Sequence, residues 1–99
     1  MLVVREVIYC RPGQVGPLLK RFKALSSVLT DLGERPFRLM TDVAGERFWT
    51  LVAEQEAESI DAFRAMEQRV MATPMARDAM GAYHELILKG RREIYSLES

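Results

Sequence analysis

The spacing of apolar residues changes from one stretch of the chain to the next, and each spacing names an element. Leu2 to Cys10 is rich in β-branched and aromatic residues and stops at Arg11-Pro12-Gly13, a turn signal in which proline fixes one φ and glycine frees another. The run predicts a strand. Its alternate positions are Leu2, Val4, Glu6, Ile8 and Cys10 on one side and Val3, Arg5, Val7 and Tyr9 on the other, so both faces are mostly apolar. From Val15, the residues Leu18, Leu19, Phe22, Leu25, Leu29 and Leu32 recur every three or four positions, the mark of an amphipathic helix. Pro17 is tolerable only in the first turn and Gly33 suits a left-handed C-terminal cap, which sets the helix at about residues 14–32.

Pro36 to Asp42 and Arg47 to Glu54 form two extended runs around Val43-Ala44-Gly45-Glu46, the pattern of a hairpin. A loop of two or four residues sets Asp42 opposite Arg47 as a charge pair, whereas a three-residue loop opposes Asp42 to Glu46. The favourable pairing predicts Phe37, Leu39, Thr41, Phe48, Thr50 and Val52 on a face under the helices. It leaves Arg38, Met40, Trp49, Leu51 and Ala53 on the other face. Glu54, Glu56 and Glu58 then read as a solvated approach to a second helix, capped by Ser59 and burying Ile60, Phe63, Met66, Val70 and Met71. Thr73-Pro74 interrupts that helix and starts another, expected to reach about Glu85 with Met75, Ala79, Met80 and Tyr83 inward. Leu86-Ile87-Leu88 fits either a helix end or a strand, and the last strand is expected over Arg91 to Leu97.

The resulting order is βαββαβ in a single α+β domain, residues 1–99, with an antiparallel sheet and helices on one of its faces. The other face, carrying Met40, Trp49 and Leu51, is too apolar to stay wet and is expected to be covered by a second copy of the chain. The partner implied is therefore a homodimer.

Composition narrows the function classes. Fourteen Lys and Arg balance fourteen Asp and Glu, so no positive field draws in nucleic acid or an anionic membrane, and Lys89, Arg91 and Arg92 read as a solvated strand end. Cys10 is the only cysteine, which excludes an intrachain disulfide and a thiolate zinc cage and fits a reducing compartment. Charges at Arg5 and Glu6 interrupt the N-terminal apolar run too early for a signal peptide or a membrane span, so a soluble, cytoplasmic protein is expected.

Three segments carry a family resemblance: strand one running into Arg11-Pro12-Gly13-Gln14-Val15, the stretch Phe48-Trp49-Thr50-Leu51-Val52-Ala53-Glu54 leading to the Ser59-capped helix, and the closing Gly90-Arg91-Arg92-Glu93-Ile94-Tyr95. With them the chain resembles the dimeric α/β-barrel superfamily, a ferredoxin-like group, and in particular its small NIPSNAP-like and antibiotic-biosynthesis-monooxygenase-like members. The resemblance implies two sheets packed face to face in a dimer and a small apolar pocket between the sheet and the helices of each subunit. It also implies a range of activities, from cofactor-independent monooxygenation to heme degradation. The heme-degrading branch is similar in using an Asn, a Trp and a His together, and this chain holds no Asn. Trp49 and His84 alone do not rebuild that site, and a monooxygenase of this kind needs another donor for the substrate oxyanion.

His84 is the sole histidine and the one side chain whose ordinary pKa suits proton transfer near neutrality; with its neighbour Tyr83 it is the catalytic candidate. Phe22, Thr41, Phe48, Thr50 and Phe63 are the expected pocket lining, the two threonine hydroxyls either orienting a ligand or bonding to each other. Arg5 and Arg38 are expected to pair with Glu6 or Glu93. No metal-ligand spacing is present and no cofactor is expected. The functional expectation is a homodimeric protein with an apolar ligand pocket, acting as a cofactor-independent monooxygenase-like enzyme on a hydrophobic or aromatic molecule; the alternative is a non-catalytic ligand-binding or dimerisation module.

Overall fold

A computed structural model describes Met1–Ser99 as a four-stranded antiparallel sheet with its helices on one face. In chain order the elements are β1 (Leu2–Cys10), α1 (Val15–Asp31), β2 (Arg38–Thr41), β3 (Thr50–Ala57), α2 (Ile60–Met71), α3 (Pro74–Ala79), a 3-10 turn over Tyr83–Leu86, and β4 (Ile87–Ser96). The strand order β2-β3-β1-β4 places the apolar β1 inside the sheet, antiparallel to β3 on one side and β4 on the other. This is the α+β, ferredoxin-like βαββαβ arrangement, with principal extents of 35 × 34 × 18 Å. The short dimension is one sheet plus one helical layer.

The helix ends follow their local chemistry. Gly33 takes φ 77, and the amides of Gly33 and Glu34 donate back to the carbonyls of Thr30 and Leu29 at 3.0 and 2.8 Å, the paired bonds of a Schellman stop. The Ser59 hydroxyl accepts from the Ala62 amide at 3.0 Å, and Thr73 accepts from Ala76 at 3.2 Å with Pro74 at the first helical position. The third helix is shorter than the sequence predicts. Gly81 and the left-handed Ala82 (φ 54) break it after Ala79, Met75 is left exposed, and Leu86 closes a 3-10 turn. β4 accordingly starts at Ile87, four residues before the expected Arg91.

The core lies between α1 and the sheet. Leu18, Phe22, Leu25 and Leu29 of α1 meet Ile8, Leu51 and Ala53, and Leu18 and Leu51 are wholly inaccessible. Val4, Ala57 and Phe63 make a smaller cluster beside it, with Met66 packed against both.

The hairpin register corrects the expected one. Met40 pairs with Val52 and Thr41 with Leu51, and the chain between Asp42 and Thr50 is a seven-residue loop. The Asp42 carboxylate accepts from the Thr50 amide at 2.8 Å, and the Asp42 amide donates to the Thr50 carbonyl. These bonds close the loop at Asp42 and Thr50, so the supposed Asp42–Arg47 pair never forms. Trp49, at φ 61, turns the chain through the left-handed region just before β3. The parity of β3 therefore reverses: Leu51 and Ala53 face the helices, and Val52 and Glu54 face away. Leu39 and Phe37 do lie on the helix side, packed on the core.

Leu51→Ala is expected to lower the unfolding free energy by about 2–5 kcal/mol in urea titrations, as for a fully buried leucine. Val43→Ala in the exposed loop should stay within about 0.5 kcal/mol.

Candidate functional site

A cleft of about 610 Å³ opens between the sheet and the helices. Phe22, Leu25 and Leu29 of α1 line it on one side, Phe63, Met66 and Val70 of α2 on another, and Met80, Tyr83 and Ile87 close the end near β4. Gly90 sits opposite Ile8 on the helix-facing side and adds no side chain to the floor of the cleft, where even a Cβ would rest against the Val7 carbonyl and Ile8. Twelve of the eighteen lining residues are hydrophobic, which fits an apolar guest.

The polar end of the cleft is a bridge across three elements. Arg92 of β4 donates to Glu6 of β1 and, at 2.7 Å, to Glu67 of α2, while its guanidinium lies 4.9 Å from the centre of the Phe63 ring. Glu6 and Arg92 are cross-strand neighbours. Arg91 also borders the cleft, but its guanidinium is engaged with the Tyr9 hydroxyl and Glu93, both at 2.6 Å, on the other face of the sheet.

The structure sorts the expected site residues. Phe22, Phe63 and Tyr83 line the cleft. His84 does not: it is exposed on the 3-10 turn, its ring edge-on to Tyr83 at 6.0 Å. Thr50 instead borders a smaller depression of about 380 Å³ beside the 43–49 loop, and its hydroxyl donates to the Arg47 carbonyl at 2.8 Å; Thr41, the register partner of Leu51, is exposed at the end of β2 and borders the same depression. Phe48 is 84% exposed in that loop. Of the expected interface residues, Met40 is exposed on the helix-free face, Trp49 lies in the loop, and Leu51 is in the core, as the reversed parity requires. Cys10 is buried, and burial, with the nearby Asp42 charge, pushes its thiol up, away from thiolate chemistry. No three His, Cys, Asp or Glu side chains are grouped so as to hold a metal ion, and no helix is long and apolar enough to cross a membrane.

The helix-free face carries a feature that sequence reasoning missed. Arg38, Glu54, Arg5 and Glu93 are register partners in one row across all four strands, alternating in charge. Glu54, taken from sequence as solvated, is only 5% exposed and accepts from Arg5 and Arg38 at 2.6 Å each; Arg5 also reaches Glu93 at 3.9 Å. Its helix-free position follows from the reversed parity of β3. Beside the charged row, Met40, Val52 and Val7 form an apolar one. Near the loop, the Tyr9 ring is flanked by Arg47 at 4.7 Å and Arg91 at 5.6 Å.

The hydrogen bond from Arg38, supported by Arg5 and both positive charges, holds the Glu54 carboxyl below the usual carboxylate range against the opposing effect of burial. Glu93 is lowered too, by Arg91 first and then Tyr95. A carboxylate depressed in the folded state contributes stability above its unfolded pKa, about 4.3, and loses it as pH falls through the folded value. Urea midpoints of the parent should therefore fall as pH drops from about 5 to about 3, and Glu54→Gln should be less stable at pH 7 but flatter over that interval. An equal acid slope in both proteins would remove Glu54 from this role.

No family model matches the chain, and no curated protein matches it. Solved structures do. An uncharacterised NIPSNAP domain protein from Burkholderia xenovorans superposes with a TM-score of 0.80 at 16% identity, covering 100% of this chain and 96% of the other. A NIPSNAP family protein from Agrobacterium tumefaciens gives a TM-score of 0.81 at 14% identity, over 98% and 85% of the two chains. An antibiotic biosynthesis monooxygenase gives 0.70 at 16% identity, over 100% of both. The structural neighbours of this chain are thus NIPSNAP domain and antibiotic-biosynthesis-monooxygenase-like proteins, with which it shares the ferredoxin-like fold.

Proposed function

We propose that this chain is a homodimeric α/β-barrel protein of the cytoplasm that binds a small hydrophobic or aromatic molecule between its sheet and helices. The cleft lined by Phe22, Phe63 and Met66 carries this reading: an open apolar volume of about 610 Å³ matches the size of small-ligand sites. The helix-free face supports the dimer. Its charged row is already paired within the protomer, Arg38 and Arg5 on Glu54, so a second sheet laid on Met40, Val52 and Val7 strands none of those charges.

A catalytic reading has one observation in its favour, that Tyr83 and Arg92 border the same cleft. Monooxygenation, the activity named for one structural neighbour, needs no cofactor when the substrate supplies the electrons: a phenol takes one oxygen atom of O2 and becomes a quinone, and the other atom leaves as water. In this reading Tyr83, which borders the cleft, orients the phenol hydroxyl.

Light scattering of the parent should report a particle of twice the 11.3 kDa chain mass, and Met40→Glu, at an exposed position in the protomer, should return the single-chain mass. A parent that is a single chain at micromolar concentration overturns the dimer. A fluorescent hydrophobic dye should bind once per chain, and Met66→Trp, which fills part of the cleft, should weaken it about tenfold, or about 1.4 kcal/mol. Oxygen uptake with a panel of phenols, reduced at least about tenfold by Tyr83→Phe, would establish the catalytic reading; no uptake by the parent leaves binding alone.

A further inference from the structure

The polar end of the cleft holds an ionic cluster whose charges do not cancel. Three ionic side chains meet there, Glu6, Arg92 and Glu67, so one guanidinium is shared by two carboxylates and the cluster carries one excess negative charge. Glu6 uses one carboxylate oxygen on Arg92, and its other oxygen accepts no hydrogen bond from the chain. The Tyr83 hydroxyl, elsewhere in the wall of the cleft, makes no hydrogen bond within the chain. The other cation lining the cleft, Arg91, is held on the opposite face by Glu93 and Tyr9. What the cleft offers a ligand is therefore an apolar wall ending in an unused acceptor and net negative charge. An anionic head group would lie beside like charge, with Arg92 already engaged by Glu6 and Glu67, whereas a donor, above all an ammonium, supplies the cation that balances this half-exposed cluster.

We propose that the cleft takes apolar amines, with neutral alcohols or phenols next and carboxylates excluded. This rests on the cleft being a ligand site, as proposed above. Arg92 acts in this scheme as a specificity residue: it cancels part of the field of Glu6 and Glu67 and, lying over the Phe63 ring, joins the charged end to the apolar wall.

The test is isothermal titration of the parent with octylamine, 1-octanol and octanoate, which share one tail. The amine should bind at least about tenfold more tightly than octanoate, with octanol between, and the gap should narrow with added salt as screening rises. Two variants move the ratio in opposite directions. Glu6→Gln with Glu67→Gln together should collapse the amine preference, and Arg92→Gln, which leaves both carboxylates without their cation, should widen it. Thermal melts confirm that each variant is folded, and either one alone suffices to read the direction. Octanoate binding as tightly as the amine overturns the head-group assignment while leaving the cleft as a ligand site. Failure of all three probes to bind the parent overturns both.

Discussion

The alternation of β3 between the two faces of the sheet ties the core to everything outside it. With Leu51 and Ala53 packed on α1, Val52 and Glu54 are turned to the opposite face, where Glu54 meets arginines from the strands on both sides. A shift of one residue would expose a wholly buried leucine and press a carboxylate into the helices. The penalty falls on both faces at once, so the register is strongly fixed even though β2 is only four residues long.

That arrangement gives the two faces different chemistry. The helix-free face has its charges organised as a compensated ladder, Arg38 to Glu93, interleaved with valines, which suits it to be covered by another flat surface. The helix side is incompletely filled: a cleft lies between the sheet and the helices, with Gly90 on its floor and the Arg92–Glu67 bridge joining β4 to α2. In the function proposed above the first face meets a second copy and the other a small guest, and β1 supplies residues to both, Arg5 and Val7 to the first and Glu6 and Ile8 to the second.

Part of the candidate site was legible beforehand. Phe22 and Phe63 lie on clean helical stripes, and a stripe points at the core whatever the loops do; Tyr83 followed from the same periodicity despite the early end of α3. Phe48 and Thr50 depend on the hairpin, where a tight turn would set one parity for β3 and the loop closed by Asp42 and Thr50 sets the other, whereas Thr41 keeps the parity of β2 and stands exposed at its end. The Glu6–Arg92–Glu67 bridge had no local signature, since its members come from β1, β4 and α2 and only the sheet order brings them together.

The sequence by itself determined the elements, their order and most of their ends, because proline, glycine and a capping hydroxyl act within a few residues of where they stand. The identity of the apolar helix faces was determined in the same way. Only the tertiary structure decided which side of the sheet each residue of β3 occupies, which acid answers Arg5 and Arg38, and where an unfilled space remains. These depend on pairings between distant segments, and a strand that is apolar on both sides carries no local instruction about which face to bury.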